Sequence, residues 1–239
     1  MVPPFRIAGL LAALVGPLAL ASCSSSGPSA AQILANTKTA VTNASAVHYV
    51  DVTTVSGTTN SESVTGSLSA TQALATLVVN KSPTLQVVLA GTTLYLQTTS
   101  TAVLEKNLGL SATQATAAVN TWISIVPADA AYNTVLSSIS IASEVSGFYP
   151  DPSKATIGTT RTVHGISVTP ITSVSTSSGT TKETTLFVDP KTSLPVGGTI
   201  VGTKGKVKEQ KVGAFTHWNK PFSVTPPTPS TTLSSLLAS

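Results

Sequence analysis

The sequence predicts an α+β protein: a single large curved antiparallel sheet, a half-barrel of about ten strands, with helices packed on its concave face. Three observations predict it. Residues 47–98 and 156–224 alternate apolar and polar side chains with a period of two, and Gly, Asn and Pro punctuate both stretches at short intervals. Between them, residues 101–147 switch to the three-to-four spacing of helices. The connections inside each strand block are short, so neighbours pair antiparallel as a meander, and a sheet of so many strands must curl.

The elements follow in order. Ser29 with Gln32 forms a capping box that opens a helix running to about Asn43, with Ile33, Leu34, Thr37, Val41 and Ala44 on one face. Strands are expected over 47–56, 61–69, 73–81, 85–90 and 93–98, the first two joined by a turn at Gly57-Thr58-Thr59-Asn60. A short helix follows over 101–107, and a second capping box, Ser111 with Gln114, opens another that ends near Trp122. Asp129 opens a longer helix carrying Tyr132, Leu136, Ile139 and Val145 as its stripe, stopped by Gly147 before a rigid Phe148-Tyr149-Pro150-Asp151-Pro152 loop. The second strand block divides into 156–163, 166–173, 181–188, 196–201, 207–215 and 222–224. Residues 226–239, rich in Pro, Ser and Thr, form a tail with no periodic apolar face and are expected to be disordered.

Composition narrows the function. Of 239 residues only 9% are charged, so a net charge of +4 is spread thinly and leaves no clustered basic face for nucleic acid. Ser and Thr make up roughly 30% of the chain, and hydroxyls must solvate much of the surface. The single Cys excludes an intrachain disulfide, so stability has to come from a hydrophobic core.

That cysteine, Cys23, has a telling position. Arg6 is the only charge before Lys38, and residues 7–20 are almost wholly apolar but too short to span a bilayer, which reads as a signal peptide over 1–22. Leu20-Ala21-Ser22-Cys23 at its end resembles the lipobox of bacterial lipoproteins. The resemblance implies cleavage after Ser22, acylation of Cys23 and anchoring to the outer face of the cytoplasmic membrane in the cell envelope. Two or more acyl chains hold a protein stably where one does not. Residues 23–28 then form the lipidated N-terminus and a flexible Ser/Gly/Pro tether ahead of a folded domain over 29–225.

Several further stretches point the same way. Gly91-Thr92-Thr93-Leu94-Tyr95-Leu96, the Trp122 region, Arg161-Thr162-Val163-His164-Gly165-Ile166, Thr185-Leu186-Phe187-Val188-Asp189-Pro190 and Phe215-Thr216-His217-Trp218-Asn219-Lys220-Pro221 together resemble the actinobacterial cell-envelope lipoproteins of the LppX, LprA, LprF and LprG group, whose fold is similar to the carrier LolA. This resemblance implies a hollow between sheet and helices that holds an acylated lipid or lipoglycan and passes it outward, with an envelope transporter as a candidate partner. No invariant polar site comes with it.

The residues expected to line the hollow are Val87, Leu89, Leu94, Leu96, Leu186 and Val188 on the sheet, and Trp122, Leu136, Ile139 and Phe148 on the helical side. Burying a chain of about fifteen methylenes at about 0.8 kcal/mol each gives on the order of 12 kcal/mol before the costs of ordering, so an apolar lining suffices without cofactor or metal. An enzyme is not expected. G-x-S-x-G, H-E-x-x-H and a phosphate-cradling Gly loop are absent from the sequence, and His48 and Asp51 fall on opposite faces of a strand. His164 and His217 read as isolated side chains, and Lys204, Lys206, Lys208 and Lys211 as solvated protection of a strand edge. The alternative is a tethered structural, sensing or protein-interaction lipoprotein with a filled core.

Overall fold

The computed structural model describes residues 27–69, 71–79, 82–205 and 207–239; Cys23 and the signal peptide lie outside them. The chain opens with α1 (Ala30–Thr42), capped by Ser29 and Gln32 in the reciprocal arrangement the sequence predicts. Five antiparallel strands follow as a meander: β1 (Ala46–Val55), β2 (Thr58–Ser67), β3 (Gln72–Val79), β4 (Ser82–Ala90) and β5 (Thr93–Thr98). The first turn is tighter than Gly57–Asn60. Ser56 and Gly57 alone make it, both with positive φ, the backbone twist that suits a two-residue hairpin.

The middle block is more broken than the periodicity suggests. Helices α2 (Thr101–Leu108) and α3 (Ala112–Ala118) are followed by a short strand, β6 (Ile123–Ile125), where the sequence implied helix almost to Trp122. Asp129 does not open a helix; its carboxylate accepts the Val126 N–H at 2.7 Å and closes a turn. The expected long helix is two, α4 (Tyr132–Ser138) and α5 (Ile141–Gly147), because Ser140 caps the second by accepting the Ser143 N–H.

The second strand block holds β7 (Thr156–Ile157), β8 (Arg161–Val163), β9 (Ile166–Ser177), β10 (Thr180–Val188), β11 (Pro195–Lys204) and β12 (Val207–Thr216). The expected strand over 156–163 is thus split, and residues 222–224 form no strand. The tail is ordered, against expectation: β13 (Thr231–Thr232) pairs parallel with β6, and α6 (Leu233–Leu237) buries Leu233. The exposed edge of β6 offers unpaired backbone groups, and the tail satisfies them.

Among the described residues the thirteen strands belong to one open sheet, in the order β13-β6-β5-β4-β3-β2-β1-β12-β11-β10-β9-β7, with β8 pairing β9; every pairing there except β13–β6 is antiparallel. The first and second blocks join where β1 pairs β12, so the chain's two halves meet at the centre of the sheet. A flat sheet of this path would be about 50 Å wide. One continuous apolar cluster nevertheless runs from Ile123 and Ile125 on β6 to Ile171 on β9 and takes in residues of each of the six described helices, so the sheet is coiled around its helical layer.

Glycines set how closely the helices approach. A Cβ at Gly66 would lie 2.8 Å from Cδ1 of Ile141 on α5, and Cβ atoms at Gly198 and Gly213 would lie 2.5 and 2.6 Å from the Phe148 ring. The sheet therefore has sockets at both ends of α5. On the opposite face a small cluster of Val168, Phe187 and Val196 is covered by Val163, and the Arg161 guanidinium lies 4.2 Å from the Phe187 ring centroid.

Candidate functional site

The concave side is not fully filled. Between α1 and α5 runs a groove of about 680 Å³, walled by Leu34, Val41, Leu68, Ala142, Val145 and Tyr149, with Lys38 at its border. Its existence follows from the small residues on the facing helices: Ala31 and Ala35 of α1 and Ala142 and Ser146 of α5 leave the two surfaces apart. Leu68 and Ala142 also line a second hollow of about 270 Å³ under the α4–α5 break, together with Leu89, Leu136, Ile139 and Ile141. Ile139 in turn borders a third, of about 180 Å³, with Leu77, Leu85, Val87 and Glu62. The three lie next to one another along the helix–sheet boundary, with Leu68 and Ala142 between the first two and Ile139 between the second and third.

The residues expected to line one cavity divide between hollow and core. Leu89, Leu136 and Ile139 border the second hollow, and Val87 with Ile139 the third. Leu94, Leu96, Phe148, Leu186 and Val188 are packed into the solid core. Phe148 fills the Gly198–Gly213 socket and meets Tyr49 and Phe215 edge-on, with ring centroids 6.2 and 5.8 Å away. Trp122 is half-buried, and its carbonyl accepts the Thr231 N–H of the tail at 2.8 Å. The large groove is lined instead by α1, which sequence reasoning treated only as a packing helix. Its run of alanines beside Leu34 and Val41 was the available signal.

One cluster was missed altogether. Lys211, expected among exposed lysines at a strand edge, is on an interior strand and turns inward, with Nζ 2.8 Å from Asp51 Oδ2 and 2.7 Å from Glu144 Oε2. The Tyr49 hydroxyl donates to the same two carboxylates at 3.0 and 3.2 Å. Burial presses the Lys211 ammonium down, but the bonds to Asp51 and Glu144 outweigh it and leave its pKa above the ordinary lysine value. Burial, then the charges of Asp51 and Glu144, push Tyr49 far up. Burial, then the charges of Glu144 and Asp51, push Glu62 to about 7. The cluster ties α5 to β1 and β12 directly beside the hollows.

The histidines also differ from expectation. His164 sits in the β8–β9 turn with positive φ, as its place before Gly165 suggested. His48 and His217, read as unrelated, are brought together by the β1–β12 pairing, with ring centroids 5.8 Å apart. Among the described residues no three His, Cys, Asp or Glu side chains are grouped as metal ligands.

These features define an open half-barrel α+β protein with apolar hollows between its sheet and its helices. The fold is LppX-like: the chain is similar to lipoprotein LppX of Mycobacterium tuberculosis at 14% identity and a TM-score of 0.51, over 82% of this chain and 98% of that one. The resemblance seen in the sequence is therefore borne out as a fold. Weaker likenesses are to MucB in the MucA/MucB complex of Pseudomonas aeruginosa (13% identity, TM-score 0.41, 87% of this chain and 60% of that one) and to a DUF1329 family protein of Desulfovibrio piger (10%, 0.27, 82% and 93%). At those scores neither carries any argument. No protein-family model matches the chain, and no curated protein matches its sequence.

Proposed function

We propose that this is an exported lipoprotein, anchored through acylated Cys23 to the outer face of the cytoplasmic membrane, that binds an acylated lipid or lipoglycan in the hollows and carries it through the cell envelope without catalysing a reaction. The observation that carries this reading is the groove between α1 and α5, about 680 Å³ and walled chiefly by apolar side chains. That volume falls in the range of about 300–1,000 Å³ typical of ligand sites. The two smaller hollows beside it also present mainly apolar walls, which suits an alkyl chain. Among the described residues no helix is long and apolar enough to cross a membrane. In this reading acylated Cys23 is the anchor.

The test fills the groove from its walls. Ala35 and Ala142 are exposed residues lining it, so Ala35→Trp and Ala142→Trp occupy space without displacing core atoms. Purified wild-type protein is expected to release lipid on organic extraction, detected by mass spectrometry, and both variants to release at least tenfold less with unchanged circular dichroism. Equal lipid content in wild type and variants, or none in the wild type, overturns the reading and leaves the tethered interaction protein. Cys23→Ala is expected to move the protein from the membrane to the soluble fraction.

A further inference from the structure

We propose that the protein carries a second binding site, on the opposite face of the sheet from the hollows: a pocket for a phosphate-bearing ligand, built from His48, His217, Lys220 and Thr65. The pocket has a volume of about 330 Å³ and is completed by Ala46, Val47, Pro221 and Phe222. Strand pairing assembles it. His48 of β1 lies opposite Thr65 of β2 on one side and Thr216 of β12 on the other, and His217 follows Thr216 directly. His217 has φ of 55°, a left-handed backbone that His adopts more often than most residues with a side chain, and its ring lies 5.8 Å from that of His48.

Both imidazoles are held by a threonine. Nδ1 of His48 is 2.7 Å from Thr65 Oγ1, and Nδ1 of His217 is 3.2 Å from Thr216 Oγ1. With each Nδ1 beside a threonine hydroxyl, Nε2 is left for a ligand, and in the imidazolium form it is an N–H donor that suits an anion and not a metal ion. The charge pattern agrees. His48 comes from β1, His217 and Lys220 from the segment after β12, and β2 contributes only the Thr65 hydroxyl; no carboxylate lines the pocket. Burial and then the charge of His217 hold His48 below its ordinary pKa. When the imidazoles are protonated, they and the Lys220 ammonium have no counter-charge among the lining residues, and a phosphate group supplies it through charge-assisted hydrogen bonds. Pro221 and Phe222 offer the organic part of the ligand an apolar wall.

The phosphate could belong to a lipid headgroup or to a soluble phosphate ester, and calorimetry with two probes distinguishes them. Glycerol 3-phosphate is expected to bind the full chain at least tenfold more tightly at pH 6 than at pH 8, because binding is coupled to imidazole protonation. His48→Gln, His217→Gln and Lys220→Gln are each expected to weaken it at least tenfold at pH 6, whereas Ala142→Trp leaves it unchanged. Short-chain phosphatidic acid binding more tightly than glycerol 3-phosphate, with the same histidine dependence, assigns the source to a headgroup; equal affinity assigns it to a soluble ester. In the wild type, proton NMR titration is expected to show phosphate raising the pKa of both histidines. No such rise, binding indifferent to pH or to the three substitutions, or zinc binding that phosphate does not disturb overturns the proposal. Because Ala142→Trp blocks only the hollows, failure here and failure of the lipid reading are separate results.

Discussion

Lys211 shows how much one residue can organise. It is the only cation in contact with Asp51 and Glu144 among the described residues, and it joins a central strand to α5. Lys211→Met removes the counter-charge while keeping most of the side-chain volume, so two carboxylates are left in a poorly solvated site. A loss of about 2–4 kcal/mol in urea denaturation at pH 7 is expected, since breaking a buried ion pair from one side is costly. Because its pKa is raised, the ammonium's contribution is complete below pH 10.5 and is lost as pH climbs through the folded-state value. Glu62 acts in the opposite direction. Its pKa rises from 4.5 to about 7 on folding, so the native state holds the proton more tightly and stability falls as pH rises between those values. Glu62→Gln is therefore expected to be more stable than wild type at pH 8, by about 1 kcal/mol for a half-buried, solvent-screened group, and to show no advantage at pH 4. None of this was legible in the sequence. The period-two pattern assigns Asp51 and Lys211 to faces of strands, but Glu144 is far away along the chain.

At the scale of elements, capping chemistry was the most legible signal. The Ser29–Gln32 and Ser111–Gln114 boxes both form as spacing requires, because their bonds are local. The α4–α5 break was missed although Ser140 is itself a capping residue, since an unbroken apolar stripe across 132–145 outweighed it in the reading. The tail was misjudged for a different reason. Leu233 and Leu236 have helical spacing, but two leucines do not define a face until β6 provides an edge to dock beside. Leu233 is almost fully buried, so Leu233→Ala is expected to cost about 2–4 kcal/mol, seen as a lower midpoint in thermal melts. If the melts superimpose, the tail does not dock.

At the scale of the whole molecule, an open sheet wrapped around short helices leaves the helical layer unable to fill the curve. Helices of seven or eight residues, as in α2 to α5, cannot cover a sheet of twelve successive strands without gaps between them. The groove between α1 and α5 falls where small residues face one another. A ligand that occupies them binds only the folded state, so at a hundredfold excess over its Kd it should add about 2.7 kcal/mol of stability. Thermal melts with such a lipid are expected to shift upward by about 5–10 °C in the wild type and by under about 2 °C in Ala142→Trp.

The sequence by itself determined the α+β class, the meanders and the helix caps, because each depends on contacts within a few residues of chain. Only the tertiary structure decided which apolar residues meet one another and which face a gap. Leu94 and Leu136 are indistinguishable as letters, yet one is enclosed by neighbours on every side and the other borders a hollow. That difference rests on the facing surface, on the glycine sockets for Ile141 and Phe148 and the alanines of α1 and α5, and all of these are remote in sequence. Periodicity tells which way a side chain points, and packing depth depends on what another part of the chain brings to meet it.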